Sequence, residues 1–295
     1  MLKRSVAKPL AHSEEPAKQH ATPKAAPLLL AEEAEEIEAL GPWFHNLHLP
    51  DGVQTNPAHE LGDFPAFKWR QIADFVPADL QGWRALDIGC NAGFYTFELA
   101  KRGADVVAID LNPHYLQQAK WAAQRFALMH KIEFRQMQVY DLAHVDEQFD
   151  LVLFMGVFYH LRYPLLGLDI VAQKVRRLLI FQTLLMDGDG IFEQTTGRTL
   201  AERAVLSAPG WPKLAFLEHD FASDPTNWWA ANRAGAAALL RSSGLYIETQ
   251  PEREIFICRP NELQRASTQT WNRAELLAAT GQPWQGEVDE LFGEA

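Results

Sequence analysis

Five short apolar runs mark the middle of the chain: Ala85–Ile88, Val106–Ile109, Ile132–Met137, Asp150–Val157 and Arg177–Leu185. They are rich in Val, Ile, Leu and Phe and bounded by Gly or Asp, the pattern of strands buried on both faces. The stretches between them switch to helical spacing. One runs from Phe94 to about Arg102 and is closed by Gly103. A second opens at Pro113 and reaches about Leu128, and a third covers Pro164–Val175. Strand–helix–strand alternation predicts a parallel sheet with helices on both faces. Further on, Asn232 reads as the N-cap of a helix over Arg233–Ser242, stopped by Gly244. Leu245–Glu248 and Glu254–Cys258 read as a hairpin-like pair that completes the sheet.

The flanks break this rhythm. Residues 1–35 are read as a disordered tail, rich in Ala, Pro, Lys and His up to residue 30 and without a convincing leader. Ala31–Leu40 carries five glutamates with Ile37 and Leu40 on one side, which predicts a short solvated helix. Gly41–Asp63 is irregular but aromatic, and loops of this length are usually functional, so it is expected to be a lid over a ligand. Phe67–Phe75 is expected to be an amphipathic helix. The chain thus divides into a tail (1–35), an N-terminal helix and lid segment (36–80), a ligand-binding domain (81–260) and a C-terminal extension (261–295). Residues 187–227 are expected to form an insertion shaping a pocket. A short helix near Ala274–Ala279 is expected in the extension.

Composition narrows the chemistry. With 295 residues and 47% apolar content, the chain can bury a sizeable core. A net charge of −11 argues against broad contact with a phosphate backbone. No run approaches the roughly 18 apolar residues of a membrane span. The two cysteines, Cys90 and Cys258, lie far apart and suit a reducing cytoplasm. No metal site is expected. His45 and His48 lack a thiolate or helix to go with them, and Asp187 and Asp189 lack a third oxygen ligand.

The chemistry concentrates at the end of the first run. Gly89-Cys90-Asn91-Ala92-Gly93 is a glycine turn between strand and helix, and Asp110 ends the next strand. That is a nucleotide-binding layout, with backbone N–H groups at a helix start and a carboxylate for ribose hydroxyls. It lacks the dinucleotide fingerprint G-x-G-x-x-G, because Asn91 takes the middle glycine's place. Asp87 instead lies on the strand, two residues before Gly89.

The pattern Asp87-x-Gly89-x-Asn91-x-Gly93 resembles motif I of the class I S-adenosylmethionine-dependent methyltransferases. The block FDLVLFMGVFYHLRYPL, the later FQTLLMDGD and Lys68-Trp69 resemble the tRNA wobble-uridine carboxymethyltransferases. GPWFHNLHLPDG and NWWAANRAG point to a bacterial methyltransferase family related to them. The resemblance, over roughly residues 40–260, implies a Rossmann-like seven-stranded, mostly parallel sheet whose last strand is antiparallel. It implies S-adenosylmethionine as cofactor, with Asp87, Gly89, Asn91, Gly93, Asp110, Asp141, Met155 and Lys68 as cofactor-binding candidates. Asp141 reads equally as a turn residue.

Tyr159 and His160, at the end of the fourth run, are the catalytic candidates, His160 as a base for a hydroxyl nucleophile. Phe94, Tyr95 and Tyr159 could face a sulfonium. The expected acceptor is a small molecule or glycan. RNA modification of the wobble-uridine type is the alternative, and cofactor binding without turnover a third. In the wobble-uridine enzymes a lysine that reads the extra carboxylate of carboxy-S-adenosylmethionine follows the Pro-Trp pair. Here His45 stands in its place after Pro42-Trp43, so plain S-adenosylmethionine is the expected donor.

Overall fold

The structure is a computed structural model, and it describes residues 25–188, 190–192, 197–262 and 270–283. It divides into two compact units, 1–41 and 42–295. Within the first, α1 spans Ala25–Ala39. The expected tail is therefore helical over 25–35, and this part of the sequence reading is corrected. Ala, Leu and Glu fill the segment, all strong helix formers. Pro27 falls in the first turn, where a missing N–H costs no intrahelical bond. The rest of the expected tail lies outside the described residues.

The second unit begins with the Pro42–Asp63 loop and α2 (Phe64–Ile72), which a short 3₁₀ turn extends to Phe75. Alternation then follows: β1 (Arg84–Ile88), α3 (Phe94–Lys101), β2 (Asp105–Asp110), α4 (Pro113–Arg125) and β3 (Ile132–Gln136). Next come β4 (Phe149–Met155), α5 (Pro164–Lys174) and β5 (Val175–Gln182). A short pair, β6 (Leu214–Phe216) with β7 (Trp229–Ala231), precedes α6 (Arg233–Ser242). The chain closes with β8 (Leu245–Glu252), β9 (Ile255–Pro260) and α7 (Thr270–Ala279).

Seven strands form one sheet in the order β3-β2-β1-β4-β5-β9-β8. The first five are parallel, and β9, last in the chain, runs antiparallel to both neighbours. This is the Rossmann-like sheet expected. All seven residues of β4 are buried, which explains its unbroken apolar run. Phe154, Phe158, Phe181 and Phe256 pack together at the sheet's centre. Helix caps follow the sequence: the Asn112 side chain accepts from His114 N, and that of Asn232 accepts from Gly235 N. Among the described residues no helix is long and apolar enough to cross a membrane. Strand order reverses between β1 and β4, so the open crevice lies at their carboxyl ends.

Candidate active site

The glycine turn sits in that crevice. Gly89 has φ +69°, and a Cβ there would lie 2.5 Å from Val157 Cγ2. Asn91 has φ +51°, so it occupies the left-handed region that asparagine tolerates better than most residues. This explains how the middle glycine can be replaced. The backbone N–H groups of Gly89 and Cys90 donate to Ile109 O, at 2.8 and 3.0 Å, tying the turn to β2. Gly93 precedes α3 without a side-chain cap, so the first turn of α3 keeps backbone donors open toward the crevice.

Asp110 braces the same turn. Its Oδ2 accepts from Asn91 N at 2.9 Å and its Oδ1 from Asn112 N at 2.8 Å. Burial raises its pKa, and hydrogen bonds from Asn112, Asn91 and Leu111 oppose that rise. These three bonds leave the carboxylate about one of its four acceptor sites for a ligand hydroxyl. Asp87 lies deeper, buried beneath the turn, where its Oδ2 accepts from Thr96 Oγ1 at 2.5 Å. Burial pushes its pKa up to about 6, with Asp110 adding to the rise and Thr96 opposing it. Asp87 thus couples β1 to α3, one layer below Asp110. Cys90 is buried in the turn and its thiol is raised well above its usual range by burial, so it packs there as a small apolar group.

The other candidates separate. Met155 ends β4, and Tyr159 and His160 follow on a 3₁₀ turn, their ring centroids 4.3 Å apart. Asp141 is exposed in the turn after β3, where its Oδ2 accepts from Gln138 N at 2.8 Å in a capping box. Lys68 is half-buried on α2; burial lowers its pKa and Glu254 opposes this. His45 lies in the Pro42–Asp63 loop among aromatic rings, 5.8 Å from Tyr95 and 5.7 Å from Phe64. Burial, then the charges of Lys68 and His59, depress its pKa to about 3, so its imidazole stays neutral. His48 goes elsewhere and pairs with Asp63 at 2.8 Å. Asp187 pairs with Arg253 at 2.7 Å, and Asp189 lies outside the described residues.

Three partners were not visible in the sequence. Glu254, in the turn between β8 and β9, accepts from Gln182 Nε2 at 3.0 Å. Its charge, after burial, is the next cause that raises Tyr159 to about 12. Thr226 and Asp224 come from the connection between β6 and β7 to meet His160. Asp224 and Thr226 lie 64 and 66 positions beyond His160 in the chain, and only a tertiary contact could join them to it.

A left-handed turn that leaves no room for a Cβ, uncapped helix N–H groups and a carboxylate at the next strand end fit an S-adenosyl group. The profile of a family described as "Methyltransferase domain" matches residues 85–179, from β1 to β5. The chain holds a class I S-adenosylmethionine-dependent methyltransferase domain.

This methyltransferase domain has named relatives. A tRNA U34 carboxymethyltransferase of Alcanivorax borkumensis is 36% identical over 129 residues, 42% of this chain and 38% of that protein. One of Pseudomonas aeruginosa is 32% identical over 164 residues, 55% and 49% of the two chains. The chain thus matches at most about half the length of these relatives. Among solved structures, the N-terminal domain of EvdMO1 with SAH bound superposes at TM-score 0.54 and 20% identity. That match covers 79% of this chain and 96% of the other, and it shows a shared fold.

Proposed function

We propose that this chain transfers the methyl group of S-adenosylmethionine to a hydroxyl of a small-molecule or glycan acceptor, with His160 as the base. The observation that carries the reading is the placement of His160. It stands one residue from Tyr159, on the 3₁₀ turn that follows β4, the strand beside the one that carries the glycine turn. The donor supplies an electrophilic methyl carbon: the oxygen–carbon bond forms, the carbon–sulfur pair stays on sulfur, and the hydroxyl proton passes to His160. The α3 start and Asp110 would hold the two ends of the donor, and the rings of Tyr95 and Tyr159 would flank its positive charge. Alignment alone can supply roughly 7–11 kcal/mol.

The tRNA U34 relatives favour a second reading, in which the hydroxyl belongs to a modified uridine. The net charge of −11 weighs against it. Incubating the protein with isotope-labelled donor, against a metabolite extract and separately against bulk tRNA, decides between them by mass spectrometry. Label in a sugar or small metabolite supports the first reading; label confined to tRNA overturns it.

The donor is proposed to be the plain form. His45, at the position expected to read an extra carboxylate, is neutral, and Tyr159 stands in the field of Glu254. Lys68 offers a cation, but Glu254 shares its charge. A tenfold preference for the carboxylated donor in competition binding would reverse this assignment.

A further inference from the structure

We infer that Thr226 and Asp224 form a relay that holds His160 in a single tautomer, with Nε2 open to receive the acceptor's proton. The inference rests on His160 acting as the base proposed above and adds two positioning residues from the insertion. Three oxygens surround His160 Nδ1: Thr226 Oγ1 at 2.9 Å, Thr226 O at 3.3 Å and Asp224 Oδ2 at 3.8 Å. The carbonyl and the carboxylate can only accept. The hydroxyl has one proton, and Asp224 claims it, with Thr226 Oγ1 donating to Asp224 Oδ1 at 2.6 Å. Thr226 N donates to the same oxygen at 2.7 Å, so the small loop is rigid. Nδ1 therefore faces acceptors only and must carry the ring proton. The lone pair is left on Nε2.

Electrostatics agrees with the geometry. Burial pushes Asp224 up, but hydrogen bonds from Thr226 and the charge of His160 outweigh this and leave it below the usual range, so it is a carboxylate at neutral pH. Burial lowers His160, against the opposing pull of Asp224 and Thr226, which keeps the ring neutral and basic near pH 7. The loop is also pinned at the next step of the chain, where Trp228 N donates to Tyr159 O at 2.9 Å. Asp224 and Thr226 thus do for His160 what an orienting carboxylate does in any acid–base pair: they select the tautomer and stabilise the cation formed on proton uptake.

Nitrogen-15 NMR of the full chain, with His160 assigned by comparison with His160→Gln, tests this without any acceptor. The expected spectrum has Nδ1 at a protonated-type shift and Nε2 at a lone-pair-type shift. Thr226→Ala should mix the two tautomers, and Thr226→Ser should restore the single form. A wild-type ring protonated on Nε2, or a Thr226→Ala spectrum identical to wild type with the fold intact, overturns the relay. If the tautomer behaves as expected but neither the metabolite extract nor the tRNA takes up label, the hydroxyl reading fails and the relay stands.

Discussion

At the scale of single residues, the site rests on carboxylates whose environments differ. Asp110 is the one positioned for a ligand, so Asp110→Ala should weaken S-adenosylhomocysteine binding by about 2–3 kcal/mol, the range for hydrogen bonds to a charged group. Calorimetry with unchanged affinity would remove Asp110 from the ribose. Asp141 is different, since its capping bond to Gln138 N is already in place. Asp141→Ala should lower stability by about 1 kcal/mol through the lost cap. If donor affinity falls tenfold as well, Asp141 also reads the adenine. Asp87, Asp110 and His160 were legible as candidates because strand ends and glycine turns leave marks in the sequence. Thr226 and Asp224 left none, because a residue's partner across 64 or more positions is set by where the β6–β7 connection folds back.

At the scale of elements, the β1–α3 turn is the feature most tightly specified. Three of its five residues have positive φ, and β2 receives three of its backbone N–H groups, two at Ile109 O and one at the Asp110 carboxylate. Gly89→Ala would combine left-handed strain of about 1–2 kcal/mol with a clash against Val157, next to the Phe158–His160 turn. The expected outcome is loss of donor binding with the sheet still folded, checked by calorimetry beside circular dichroism. Retained binding would mean that Val157 yields. Helices and parallel strands appeared where the hydrophobic period placed them, within a few residues. The exceptions have local causes. α1 includes Pro27 because a proline near a helix start does not stop it, and the β6–β7 pair leaves no mark because three-residue strands are too short to show a period.

At the scale of the whole molecule, two buried groups oppose each other in the response to pH. Asp87 is raised to about 6 when folded, so the folded state binds its proton more tightly than the unfolded state. Its contribution falls as pH rises from about 4 to 6. His45 is lowered to about 3, so the unfolded state takes up its proton first, and its contribution is lost as pH falls below about 6.5. Between pH 4 and 6 the two slopes nearly cancel. Asp87→Asn keeps the Thr96 bond and removes one slope. Its stability relative to wild type should therefore grow from near zero at pH 4 to on the order of 2–3 kcal/mol at pH 7. Denaturant melts across that range check this, and a constant difference would mean that Asp87 titrates normally. The sequence alone determined the sheet, its helices and the donor turn, because each depends on periodicity and on backbone conformations that only certain residues adopt. The folded structure alone decided which residues surround His160, that His45 is neutral and that the charge of Glu254 acts on Lys68. Charge, tautomer and pKa depend on burial and on neighbours in space, and those exist only once the chain has closed.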